Sequence, residues 1–157
     1  MSSILAKGTK MNKENLILIS GATLFKESRG KVYWLVVKQT SESGWEFPKA
    51  TVRKGESSVR AILRVLGELA GMSVKVLEET GRANASAVIN NKTISQKFLY
   101  YLIVFKASAG EILGFSNYEW LDYAKVLKKL SSKRDKEMLR KARIVLKTWK
   151  KLHEKKD

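Results

Sequence analysis

Residues 44–72, GWEFPKATVRKGESSVRAILRVLGELAGM, gather the side chains with most chemistry to offer. Lys49, Arg53 and Lys54 crowd a loop, Arg60 and Arg64 carry the positive charge onward, and Glu68 is a carboxylate among them. Basic groups beside a helix N-terminus favour an anion twice over, because unpaired backbone N–H groups and the helix dipole point the same way. Trp45, Trp34, Tyr100 and Tyr101 have faces on which a nucleobase can stack. Alternation along strands assigns most such rings to a core instead. The chemistry suggested is the holding of phosphate, with a base beside it.

The elements that position these groups follow from apolar spacing. From Ser57 to Ala70, the residues Val59, Ile62, Leu63, Leu66, Leu69 and Ala70 recur at helical intervals. Gly71 supplies the stop, since glycine accepts the left-handed turn at a helix end. Upstream, 16–25 and 31–39 read as strands joined through a turn at Gly30; downstream, 74–80, 84–89 and 96–107 read as strands, with NNK at 90–92 as a turn. Two helices, 123–130 and 133–152, close the chain. Strands, one helix, strands and then helices predict an α/β protein whose mixed β-sheet is covered on both faces. The expected organisation is a flexible lead at 1–14, a single domain over 15–152 and a polar tail at 153–157.

The last helix has two stripes. Met138, Ala142, Val145, Trp149 and Leu152 form an apolar one, which docking on the sheet would explain. Lys136, Arg140, Arg143, Lys147 and Lys150 form a basic one. Residues 125–157 hold 14 Lys and Arg against 4 Asp and Glu, so much of the net charge of +16 sits at one end. That is the electrostatic footprint expected for a nucleic-acid or ribosomal surface. A membrane is the weaker partner, because the apolar stripe is needed for packing. The apolar run FLYYLIVF at 98–105 is too short to span a bilayer, and there are no cysteines, so a disulfide framework and a thiolate zinc site are excluded and a cytoplasmic setting is expected. His153, the one histidine, stands in the polar tail without other metal-binding side chains around it.

With these residues in view, the chain resembles the Nudix hydrolase superfamily, in particular its diadenosine tetraphosphate hydrolase-like branch. Setting Glu56 on the first Glu of the Nudix box brings Arg64, Leu66, Glu68, Gly71 and Met72 into register with matching types. WEFPK before the box and the segment 118–142 are similar to that branch as well, so the resemblance runs from Leu16 to Ala142. It implies a Nudix-type α/β/α sandwich, and Mg²⁺ or Mn²⁺ as cofactor if the chain is active. It also implies an ion pair of Glu56 with Arg64 and a phosphate-contacting role for Lys97 at the start of a strand, and it sets Lys49 on the family's PK position. Lys49, Arg53, Lys54, Arg60, Arg64, Lys97, Tyr101 and Trp45 are thus the candidate phosphate- or nucleotide-binding set.

The box is degenerate. Ala50 replaces its opening Gly, Val65 the Glu after Arg64, and Leu69 the second Glu of the later pair. Carboxylates at i, i+3 and i+4 share one helical face, where they can hold divalent cations against a pyrophosphate. Here Glu68 is the one left, a candidate catalytic residue and metal ligand, with Glu56 as a weaker second ligand. Val65 and Leu69 are expected to widen the apolar stripe beside Ile62 and Leu66. The resulting expectation is a Nudix-fold protein with an eroded metal site that binds a nucleotide or RNA, with weak or no pyrophosphohydrolase activity. The alternative is an active hydrolase cleaving a nucleoside diphosphate-linked substrate such as diadenosine tetraphosphate. It would use Glu68 and an off-motif carboxylate, for which Glu78, Glu79, Glu111 and Glu119 are open choices.

Overall fold

A computed structural model describes residues 16–154; the lead at 1–14 and the last three residues of the tail lie outside the described residues. Strand β1 (Leu16–Ser28) turns through Arg29 and Gly30, both at positive φ, into β2 (Lys31–Lys38). Two left-handed central residues make the type I′ turn that matches the twist of antiparallel strands. A short β3 (Lys49–Thr51) leads to helix α1 (Ser58–Arg64), which continues as a wider π turn over Val65–Leu69. Then come β4 (Met72–Ile89), β5 (Lys92–Ser108), β6 (Asn117–Leu121), α2 (Tyr123–Lys129) and α3 (Lys133–Glu154).

The sheet runs β4-β5-β1-β2-β6, with β3 pairing the first half of β1. Only β1 and β5 are parallel, so the sheet is mixed. The apolar run of β5 is continuous because both its faces are covered. Tyr101 and Ile103 pack beneath α1 with Ala22, Leu35, Ile62 and Leu66. Phe98, Tyr100 and Leu102 pack on the other face with Trp34, Val126, Met138, Leu139, Ala142 and Leu146. Each leucine, isoleucine, valine, phenylalanine or methionine among them, fully buried, contributes about 1.5–3 kcal/mol. The architecture is the expected α/β/α sandwich.

Three local expectations are corrected. Residues 74–80 and 84–89 belong to one strand, which passes through Gly81. That glycine is no turn: a Cβ there would stand 3.1 Å from the Met138 sulfur and 3.2 Å from Lys141 Cδ, so it lets α3 approach β4. Strands β3 and β6, three and five residues long, carry too little alternation to be read from the sequence. On α3 the buried stripe is Asp135, Met138, Leu139, Ala142 and Leu146. Trp149 instead stacks on His153 at 4.0 Å, and Leu152 is exposed.

Candidate functional site

Helix α1 starts where Ser57, in extended conformation, caps it: its hydroxyl accepts the Arg60 N–H at 3.1 Å. One step earlier Glu56 folds onto the helix. Arg64 donates Nε to Glu56 Oε2 at 2.8 Å and Nη2 to Oε1 at 2.9 Å, while the Arg53 N–H reaches Oε1 at 3.0 Å. The Arg64 hydrogen bonds, and after them the Arg53 backbone, hold the Glu56 carboxyl down at about 2. Arg64 also donates to the Thr51 carbonyl at 3.2 Å, so one guanidinium ties loop, strand and helix together. The ion pair implied by the resemblance is present.

Outside this pair lies a groove of ≈430 Å³ lined by Glu56, Arg60, Leu63, Arg64, Gly67 and Glu68. Glu68 and Arg60 are exposed there, and among the described residues Glu68 has no ion-pair partner within 4 Å. The two positions filled by apolar residues part company. Val65 is buried as expected, but Leu69 is 57 % exposed. The reason is the π turn: Ala70 N bonds to Val65 O at 3.0 Å, five residues back, and the wider turn rotates Leu69 off the packed stripe. Gly71 then ends the helix at φ 71° as expected.

Divalent cations need several convergent oxygens. Among the described residues no three His, Cys, Asp or Glu side chains group to hold a metal ion. Both Glu56 oxygens are engaged by Arg64. Glu79 is paired with Arg82 and Glu119 with Lys129. The donor set of the groove therefore does not fit a two-ion site.

Of the eight residues proposed for phosphate or base, the tertiary fold brings only some together. Arg60 and Arg64 line the groove, and Arg53 and Lys54 are exposed on the loop leading to α1. Tyr101 is 8 % exposed beneath α1, its hydroxyl bonded to Ser58 Oγ, so it supports the helix and offers no free face for stacking. Lys97 is exposed on β5, four residues before Tyr101 and on the same side of the strand.

Lys49 and Trp45 lie apart from this groove, for both belong to the opposite layer. Lys49 Nζ lies 2.7 Å from Asp135 Oδ2 and 2.9 Å from Glu46 Oε1, drawn under the start of α3 by a fully buried carboxylate. Trp45 packs against the α3-side core, with Lys129 Nζ 4.6 Å and Lys38 Nζ 5.7 Å from its ring centre. Asp135, which sequence reasoning passes over, organises this corner. It accepts from the Phe47 N–H at 3.1 Å and the Tyr100 hydroxyl at 2.6 Å, and its own N–H donates to Ser132 Oγ at 3.0 Å. Burial first, and then the Asp135 charge, push the Tyr100 phenol far up. The Ser-x-x-Asp spacing from Ser132 to Asp135 is the one signal in the sequence, and it reads as an exposed helix cap.

The basic stripe of α3 is on the surface. Arg140, Arg143 and Lys147 are exposed, and Lys136 and Lys150 half-buried. Arg143 stacks 4.3 Å from the Tyr123 ring centre, Lys150 pairs with Glu27 at 2.9 Å, and Arg140 lies 3.7 Å from Glu137. No helix among the described residues is long and apolar enough to cross a membrane.

A mixed sheet between helical layers, with a glutamate-to-arginine tie locking the loop before α1, defines a Nudix-type fold. Comparison with protein families matches the NUDIX domain over residues 19–142, and the chain belongs to that family. Comparison with curated protein sequences finds no match. Among solved structures it is similar to an Ap4A hydrolase of C. elegans, with 21% identity, TM-score 0.65, and coverage of 83% of this chain and 98% of that one. It is similar also to the NUDIX domain of Shewanella oneidensis NrtR complexed with ADP ribose, at 18% identity and TM-score 0.64, covering 83% and 88%. A third is the C-terminal domain of mouse MUTYH in complex with human PCNA, at 17% identity and TM-score 0.56, covering 80% and 86%. At these identities the likeness concerns the fold.

Proposed function

We propose that this Nudix-family chain binds a nucleotide or RNA through its phosphates, with weak or absent pyrophosphohydrolase activity. The observation that carries the reading is the state of the carboxylates at α1: Glu56 is locked bidentately to Arg64, Val65 and Leu69 stand where two acids would, and Glu68 is alone in the groove. Each catalytic metal supplies several kcal/mol of transition-state stabilisation in phosphoryl chemistry, roughly, so a single ligand leaves that chemistry severely weakened. The groove keeps a basic side, with Arg60 exposed in it and Arg53 and Lys54 on the approach. Where the ligand is a nucleotide, a nucleoside diphosphate-linked compound is the class favoured, to which the Ap4A and ADP ribose in the names of the similar structures belong.

The hydrolase alternative has one observation in its favour. Glu68 is exposed and unpaired among the described residues, and Mg²⁺ can be held by one or two carboxylates together with substrate phosphates. Incubating the protein with diadenosine tetraphosphate and Mg²⁺ or Mn²⁺ separates the two. Calorimetric binding that weakens in Arg60→Ala, with little or no turnover, is the expected result. Robust turnover that Glu68→Gln abolishes would end the binding reading.

A further inference from the structure

On the face of the sheet away from α1, a second cavity of ≈270 Å³ opens between β2, the start of α2 and the middle of α3. Its lining divides cleanly. Val32, Trp34 and Leu146 are apolar, Trp34 being 2 % exposed, and Tyr123 forms an aromatic wall. Arg143, Lys147 and Lys150 form the rim. The cavity is at or just below the small end of ligand sites, which suits one flat group rather than an extended cofactor. The three cations occur at successive turns of α3 and span about 10 Å of helix axis, so they follow a chain of anions rather than close on one. Arg143 is held by an aromatic face and not by a carboxylate, Lys147 has no ion-pair partner among the described residues, and Glu27 offsets Lys150 alone.

We infer that this cavity receives one base of a single-stranded RNA, whose flanking phosphates lie along Arg143, Lys147 and Lys150. The inference deepens the RNA branch of the proposed function and rests on it; it makes no use of the α1 groove. A recess with an apolar floor and Tyr123 at its edge, the Tyr123 ring lying under the Arg143 guanidinium, offers a base apolar contact beside a cationic track for its flanking phosphates, the two kinds of contact that hold single strands without sequence readout. A paired base enters such a recess only by leaving its own stack, at the cost of unpairing and unstacking, so a single strand is favoured.

Fluorescence anisotropy of the full chain with a short fluorescein-labelled uridine oligoribonucleotide tests this, against an abasic strand of equal length, a duplex of equal length, and heparin as competitor. The base-bearing single strand binds best. Val32→Phe, which fills the cavity, weakens that strand by about ten-fold and leaves the abasic strand unchanged. Lys147→Glu, an exposed change that does not threaten folding, weakens both strands. Equal affinity for base-bearing and abasic strands, equal affinity for the duplex, an unaltered Val32→Phe protein of native melting temperature, or a Lys147→Glu protein binding as tightly as the parent would each overturn the inference. So would absence of RNA binding, or displacement of the strand by heparin at equal phosphate-equivalent concentration. Calorimetry with diadenosine tetraphosphate on the same samples reports on the α1 groove, so nucleotide binding that persists while RNA binding is missing sinks the cavity assignment alone.

Discussion

The buried carboxylate of Asp135 holds the ammonium of Lys49 at 2.7 Å, joining the start of α3 to the first residue of β3 across 86 residues of sequence. The same carboxylate takes the Phe47 N–H and the Tyr100 hydroxyl. Removing one partner from a buried ion pair leaves the other uncompensated, at a cost of about 3–5 kcal/mol. Asp135→Ala is therefore expected to lower the unfolding free energy obtained from urea titration by that order. A loss under about 1 kcal/mol would show that the corner is solvated in solution.

The Glu56–Arg64 tie has a pH signature. Glu56 is held at about 2 against an ordinary 4.5. A depressed carboxyl contributes stability that is complete above its unfolded value and is lost as pH falls through the folded one. The melting-temperature gap between the protein and Glu56→Gln is expected to be constant above pH 4.5 and to close between there and about 2. A gap that does not change over that window would refute the pairing.

Restoring acids to α1 should have unequal effects. Leu69 is 57 % exposed, so Leu69→Glu is expected to change stability by less than about 0.5 kcal/mol and to raise Mn²⁺ affinity by placing a second carboxylate beside Glu68. Val65 is 9 % exposed in the core beneath α1, and Val65→Glu should cost roughly 3 kcal/mol or more. Chemical denaturation and calorimetric Mn²⁺ titration of the two variants measure this, and equal stabilities would contradict the π turn.

Charge on α3 should be read by substitution and not by truncation, because the helix puts Met138, Leu139, Ala142 and Leu146 into the core. Lys136→Gln and Arg140→Gln are expected to leave the melting temperature near that of the parent. Each phosphate that a substitution leaves without its cation lowers the slope of log affinity against log salt by about 0.7 for single-stranded RNA. A slope unaffected by both changes would confine the phosphate contacts to the Arg143–Lys150 end of the stripe.

Much of the fold is legible because its signals are local. The helical spacing from Val59 to Leu66, Gly71, and the turns at Arg29–Gly30 and Asn90–Asn91 all express preferences of short stretches of chain. The groove is legible in part, since Arg60, Arg64 and Glu68 sit on one helix. That Lys49 and Trp45 lie apart from the groove is not legible, because a residue at the sheet's edge can turn to either face, and only Asp135 and the α3-side core decide which. Gly81 reads as a strand break because the need for room under α3 is not written near it.

The sequence by itself determined a sandwich with a basic far end and a Nudix-like helix short of acids, because charge, periodicity and the absence of carboxylates are properties of residues taken in order. Only the tertiary structure decided that Leu69 faces solvent, that Lys49 is bound to Asp135, and that Val32, Trp34, Tyr123 and Leu146 meet beneath three cations of α3. These depend on a π turn, on a buried carboxylate and on the crossing of a helix over a sheet, each set by contacts between parts of the chain far apart in sequence.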